Sequence, residues 1–271
     1  MISFIPVDDS AVIGSLKNEY YRSLLAPMDG MWDTGFTNPA PHWEILVEEQ
    51  QAGYFVLSKE GALLQFYVTP GFHNVAKTLL DQVIDQHGPR KFVVSTIDPA
   101  FLVLCLDIQN EITVHTLLYE TSKPMEPSHK NAASISFRLV AENELSRVVA
   151  LQERCLGFER GSQPWLEGYS ENLMARAELS VLAQGDDWIG FGEERTSETQ
   201  HGVVDLGMMV HPDYRGQGWA TYILKTLACR VVSRGGTAIC STTTDNPASQ
   251  ISIIRSGFRA THRIMDIAFG A

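Results

Sequence analysis

The chain has 271 residues, 44% of them apolar and 20% charged, which suits a globular protein of one large or two ordinary domains. A formal net charge of −11 argues against nucleic acid as a partner, and the longest purely apolar run, 100–106, is far too short to span a bilayer. The first ten residues lack a basic signal-peptide stretch, and Cys105, Cys155, Cys229 and Cys240 show no metal-ligand or Cys-x-x-Cys spacing; the expectation is a reduced, metal-free, cytoplasmic protein.

In chain order, 2–7 is predicted as a strand, 10–25 as a helix, 43–48 as a strand, and 54–57 with 62–69 as a hairpin. A helix over 72–87, a strand over 91–97, a short helix over 100–106 and a strand over 112–119 complete the first half. Residues 121–133 hold two prolines and little hydrophobicity, and read as an interdomain linker. The same element order then repeats. A strand over 135–140 precedes helices over 142–156 and 164–176, and three strands follow at 179–183, 188–194 and 203–210. After a glycine-containing loop, Ala220, Ile223, Leu224, Leu227, Ala228 and Val231 make one apolar helix face, which Gly235-Gly236 ends. A strand over 237–243 leads to Asn246-Pro247, a cap and first-turn pair that starts a short helix ending at Gly257. Residues 258–269 are strand. Two copies of one architecture are expected, as domains 1–120 and 134–271 joined by 121–133.

Charge is uneven along the chain. From His211 to the end there are seven basic and three acidic residues, a local balance of +4. A basic half and an acidic remainder suit an anionic ligand in the one and a cationic ligand in the other.

The most informative stretch is 207–220, Gly-Met-Met-Val-His-Pro-Asp-Tyr-Arg-Gly-Gln-Gly-Trp-Ala. A strand ends in a His-Pro-Asp turn, and a glycine loop opens directly into a helix. Glycines let the backbone approach a ligand, and the first amides of a helix are unpaired donors on a positive dipole, a cradle for phosphate oxygens. The spacing excludes two nucleotide loops. No Lys-Ser/Thr follows Gly218, as a P-loop requires, and Thr221 stands where the dinucleotide fingerprint needs its third glycine. His211 reads as a turn residue rather than a base. In the first half, Val68-Thr69-Pro70-Gly71-Phe72 stands at the matching place with no such loop after it.

Arg215-x-x-Gly218-x-Ala220 behind Val-His-Pro-x-Tyr resembles the pyrophosphate loop of the GNAT family of coenzyme A-dependent N-acyltransferases. The resemblance implies an α/β fold of two GNAT-like domains, each with a mixed, mostly antiparallel, splayed central sheet flanked by helices, the first having lost its cofactor loop. It assigns acetyl-CoA as cosubstrate. The pyrophosphate falls to the amides of Gly216, Gln217, Gly218, Trp219 and Ala220, each bond to a charged oxygen contributing roughly 1.5–3 kcal/mol. Arg215 would orient the loop or touch phosphate, the backbone of Met208, Met209 and Val210 would pair with the pantetheine arm, and Asn246 would contact the pantetheine or its water shell besides capping its helix.

Acyl transfer to an amine also needs the amine neutral. A simple alkyl amine is neutral to only about one part in 10^3.4 at pH 7, a deficit of roughly 4.6 kcal/mol. A carboxylate base, often acting through water, meets that demand. Asp205 on the strand entering the loop ranks first, then Glu193 or Glu194, of which strand alternation sends only one to a given face. The chain departs from the family at one point: Ile253 occupies the position of the tyrosine general acid in Asn-x-x-Ala/Ser-x-x-x-Tyr-x-x-x-Gly-Phe. Ser252, Tyr222 or water would substitute, or the thiolate leaves unassisted. Trp165, Tyr169, Trp188 and Phe191 precede the loop where the family shapes its acceptor pocket, although each also suits the core. The expected activity is N-acetylation of a small-molecule amine by a monomer or homodimer, the alternative being a non-catalytic acyl-CoA-binding sensor.

Overall fold

The computed structural model describes residues 1–7, 10–121, 123–131 and 134–270; Ser122, Ala132 and Ala133 of the expected linker lie outside them. The chain divides into two compact units, one of residues 1–118 with 243–245 and 262–270, the other of 119–242 with 246–261. Among the described residues no helix is long and apolar enough to cross a membrane, and no group of His, Cys, Asp and Glu is arranged to hold a metal.

The first unit opens with β1 (Ile2–Val7), α1 (Gly14–Ser23) and a short α2 (Gly30–Trp32) that continues into a π-helical turn at Asp33–Thr37. Then come β2 (His42–Val47), β3 (Gln50–Leu57), β4 (Ala62–Val68), a 3-10 turn (Pro70–Val75), α3 (Ala76–His87), β5 (Lys91–Ser95), α4 (Pro99–Leu106) and β6 (Gln109–Thr121). Its apolar side chains form two clusters, one on each face of the sheet. Leu79, Leu80 and Val83 of α3 and Phe101 of α4 pack with Phe55, Phe66 and Phe92, while Leu16, Tyr20 and Trp32 of α1 and α2 pack with Tyr54, Tyr67 and Val93. The turn at Asp33–Thr37 has no counterpart among the expected elements, because Asp29 and Asp33 hold it with side-chain bonds rather than with an apolar stripe.

The second unit contains β7 (Ser136–Leu139), α5 (Leu145–Leu156), α6 (Trp165–Ala175), β8 (Leu179–Gln184), β9 (Asp187–Thr196), β10 (Val203–Val210), α7 (Trp219–Ser233), β11 (Thr237–Thr243) and α8 (Pro247–Arg255). Its strands run in the order β11-β10-β9-β8-β7. α5 and α6 cover one face through Val148, Leu151 and Leu173. On the other, α7 presses so close that a Cβ on Gly192 would lie 2.9 Å from both Ile223 and Leu227.

The last strand, β12 (Arg259–Phe269), differs from the expected domain layout. Its residues 264–267 pair antiparallel with β5, within the first unit, whose strand order is β1-β2-β3-β4-β5-β12-β6. Met265 and Ile267 join the α3 side of that core and Ile264 the α1 side, and Phe269 stacks on Phe92 at 3.9 Å. A strand buried on both faces carries no local mark of its partner, so sequence order alone groups it with the half it follows.

Each unit contains a short parallel pair. β4 meets β5 only at Ala62↔Lys91 and Leu63↔Phe92, and β10 meets β11 only from Val203↔Thr237 to Asp205↔Ile239. Each ladder then opens. Both sheets are therefore mixed, flanked by helices and splayed.

Candidate functional site

β10 keeps pairing with β9 as far as Val210↔Gly190 but leaves β11 after Asp205. Its edge over Met208, Met209 and Val210 consequently faces a cavity of about 550 Å³ instead of a neighbouring strand. Backbone groups on such an edge are ready to pair with an extended amide-bearing ligand. The wall continues through Arg215, Gly216, Gly218, Trp219 and Ala220, and Asn246, Ser252 and Arg255 close it from the α8 side.

The loop geometry follows from its residues. His211 accepts the Asp213 amide on Nδ1 and starts the 3-10 turn at Pro212–Tyr214, which is the structural role expected of it. Gly216 and Gly218 then take φ of +73° and +92°, conformations that L side chains rarely adopt. Gly218 is the N-cap of the fifteen-residue α7 and offers no side-chain cap, leaving the first helical amides available to an anion. Arg215 is a brace. Its Nε donates to Val210 O at 3.2 Å and its Nη2 to Cys155 O at 2.6 Å, tying the strand end to the end of α5.

Of the expected coenzyme residues, Met208, Met209, Val210, Arg215, Gly216, Gly218, Trp219, Ala220 and Asn246 all line this cavity, and Gln217 does not. Asn246 also caps α8 through Ser249 N. Leu156 and Arg255 are wall residues that the sequence pattern did not single out. Helical spacing was the available signal for Arg255, which follows the wall residues Ala248 and Ser252 on one face of α8; Leu156 lies some sixty residues before the loop and had none. Cys155 is also on the wall, with its thiol pushed up to about 11 by burial against the opposing charge of Arg215.

The candidate carboxylates separate by face. Glu194 points toward α7, where Arg230 and Arg234 pair with it. Glu193 and Asp205 lie on the other face, 2% and 1% exposed, and Arg195 bridges them. The register explains the bridge, since Arg195 stands directly opposite Asp205 and Glu193 opposite Gly207. Burial opposes the charge on Arg195, but Asp205 and Glu193 outweigh it and hold the guanidinium firmly protonated. Tyr169 of α6 donates to Glu193 Oε2 at 2.8 Å; burial, then the Glu193 charge, pushes its phenol up. Trp165 packs edge-on to Tyr169 and is exposed, whereas Trp188 and Phe191 are buried in the core. The absent side chain of Gly207 makes room for this cluster, because a Cβ there would lie 2.7 Å from both Arg195 and Glu193. Gly207 directly precedes the Met208 wall.

Ile253 is 3% exposed and turned into the core, so position 253 of α8 does not reach the cavity. The hydroxyl residues that α8 does place on the cavity are Ser249 and Ser252, the latter donating to Ala248 O at 3.0 Å.

Comparison with known proteins agrees with this geometry. Residues 10–122 match an acetyltransferase (GNAT) domain model, and residues 141–258 match the acetyltransferase (GNAT) family model. A GNAT-family acetyltransferase from Colwellia psychrerythraea is 29% identical, with a TM-score of 0.90 over 99% of this chain and all of that one. A tandem GNAT protein from the clavulanic acid biosynthesis pathway superposes with a TM-score of 0.65 at 12% identity, over 100% of this chain and 99% of that one. A GCN5-related N-acetyltransferase from Sphaerobacter thermophilus gives 0.64 at 15%, over 99% and 95%. The search of curated proteins returned no match. With a GNAT domain matched in each half and this fold throughout, the chain belongs to the GNAT superfamily as a tandem acetyltransferase-family protein.

Proposed function

We propose that the second unit transfers an acetyl group from acetyl-CoA to the primary amine of a small molecule, while the first unit, without a phosphate loop, binds no coenzyme in this way. The observation carrying the reading is the open edge of β10 running into the Gly216–Gly218 loop at the start of α7, on one continuous cavity. The residues fit the cosubstrate: edge amides for the pantetheine arm, loop and helix amides for the pyrophosphate, and Arg255 as a cation on the wall. Acetyl-CoA supplies the activated thioester; the protein supplies position and proton handling.

Glu193 is the better placed base of the two buried carboxylates. It faces Gly207, at the point where β10 has left β11, whereas Asp205 sits where that ladder is still closed. Tyr169 and Arg195 orient the Glu193 carboxylate, and Asp205 balances the second charge direction of Arg195. A water between Glu193 and the amine would carry the proton. Burial pushes the Cys155 thiol up to about 11, which disfavours its thiolate at neutral pH and favours direct transfer over an acyl-enzyme. The departing coenzyme thiolate needs no acid from position 253.

Thiol release from acetyl-CoA across a panel of small amines, alcohols and amine-free controls tests this. Release that depends on a primary amine supports it. Tight coenzyme binding with no acceptor-dependent release would indicate a sensor, and release with alcohols alone would indicate a different acceptor class.

A further inference from the structure

The segment joining the two halves touches the phosphate loop. Its residues 123–131 lie along α7 and the end of α8: Cys229 Sγ donates to Met125 O at 3.7 Å, and Met125 Cγ lies 3.1 Å from where a Cβ on Gly257 would stand. Four residues further on, the His129 ring stacks on Trp219 with centroids 3.5 Å apart and planes 25° from parallel. The same ring comes within 3.7 Å of the Cβ position of Gly218. Asn131 N donates to His129 Nδ1 at 3.2 Å, which leaves the ring proton on Nε2, and Nε2 donates to Gln217 O at 2.9 Å.

That last bond explains why Gln217 is the loop residue missing from the cavity wall. A trans peptide is planar, so its carbonyl and the next amide point in opposite directions. With Gln217 O turned out to His129, the N–H of Gly218 is turned away from His129, and Gly218 lines the cavity. Glycines on both sides of Gln217 leave this peptide free to rotate, with no regular-structure bond of its own to stop it.

We infer that His129 is a positioning residue for the coenzyme: the joining segment clamps the Gln217–Gly218 peptide so that its amide faces the pyrophosphate. The inference rests on the coenzyme reading above. It places a residue from outside both expected domains in the coenzyme machinery, and gives the joining segment a role beyond connection.

The test compares acetyl-CoA with acetyl-pantetheine, which lacks the pyrophosphate. In the full chain, His129→Ala is expected to raise KM for acetyl-CoA about tenfold, the scale of one lost hydrogen bond, with kcat within about twofold. KM for acetyl-pantetheine is expected to stay unchanged. Calorimetry with free coenzyme A should show the same weakening without turnover. His129→Phe, which keeps a stacking ring but no donor, should lose affinity nearly as much, and His129→Gln should recover part of it. Equal losses on both donors, or wild-type coenzyme affinity in His129→Phe, would overturn the role. A wild-type protein that does not prefer acetyl-CoA to acetyl-pantetheine would instead sink the coenzyme reading, and His129 with it.

Discussion

In the first unit β4 ends at Val68, turns at Pro70, and its 3-10 turn passes at Val75 straight into α3. In the second, β10 ends at Val210 and turns at Pro212, but residues 215–218 intervene before α7 begins. The two junctions are otherwise built alike. Gly53 and Gly190 stand opposite the strand ends, and a Cβ on either would strike the carbonyl of residue 67 or 209 at 2.0 or 2.3 Å. The end carbonyl is held in both, Val68 O by His73 Nε2 at 2.9 Å and Val210 O by Arg215 Nε at 3.2 Å. Where the second unit pairs Glu193 with Gly207, the first pairs Val56 with Gln65. The scaffold is thus shared, and the two units differ in a few inserted loop residues and one cross-strand pair, to which the proposed chemistry is assigned.

The largest expected effect removes the inserted loop's function. Gly218→Val places a β-branched side chain at φ +92° and should weaken coenzyme A binding by more than about a hundredfold by calorimetry, while circular dichroism stays native. Retained wild-type affinity would show that the loop is not the phosphate site.

Next in size is the cross-strand pair. Glu193→Gln should lower kcat by about 10²-fold with little change in KM for acetyl-CoA, and Asp205→Asn by no more than about tenfold. The reverse order in steady-state kinetics would make Asp205 the base, as its place on the strand entering the loop suggests.

The shared scaffold predicts equal penalties. Gly53→Ala and Gly190→Ala should each destabilise the unit that contains it by about 1–3 kcal/mol in urea unfolding, because the collision is with backbone. Only Gly190→Ala should also impair coenzyme binding. If Gly53→Ala did so as well, the coenzyme site would not be confined to the second unit.

The smallest effect is specific to the first unit. Asp98, cap of α4, has its carboxyl pushed up to about 6 by burial. Its folded pKa lies above the unfolded value, so the folded state binds its proton more tightly, and this contribution to stability falls as pH rises from about 4 to 6. Asp98→Asn keeps a capping side chain and should be more stable than the parent at pH 7, by up to about 2–3 kcal/mol, with the advantage shrinking toward pH 4. A pH-independent difference between the two unfolding curves would show that the carboxyl is not the group responsible.

Much of the site was legible because its signals are local. The turn, both glycines and the helix after them are consecutive, and the amphipathic face of α7 follows at helical spacing. Alternation along β9 already required Glu193 and Glu194 to face apart. Ile253 was legible as a departure from the family pattern, but its burial was not, because the face that α8 buries is set by what it packs on. Arg195 carried no signal. It matters only because register places it between two carboxylates that are ten or more residues apart in the chain.

By itself the sequence determined the strand-turn-helix junctions, the glycine loop before α7 and the absence of such a loop from the first half, since each depends on backbone conformations that neighbouring residues dictate. Tertiary structure alone decided three other things: that β12 completes the first unit, that Arg195 locks Glu193 and Asp205 together, and that His129 reaches the loop. All three are contacts between segments distant in the chain. Their energy comes from burial and from pairing across strands, and it leaves no periodic trace in the segments that meet.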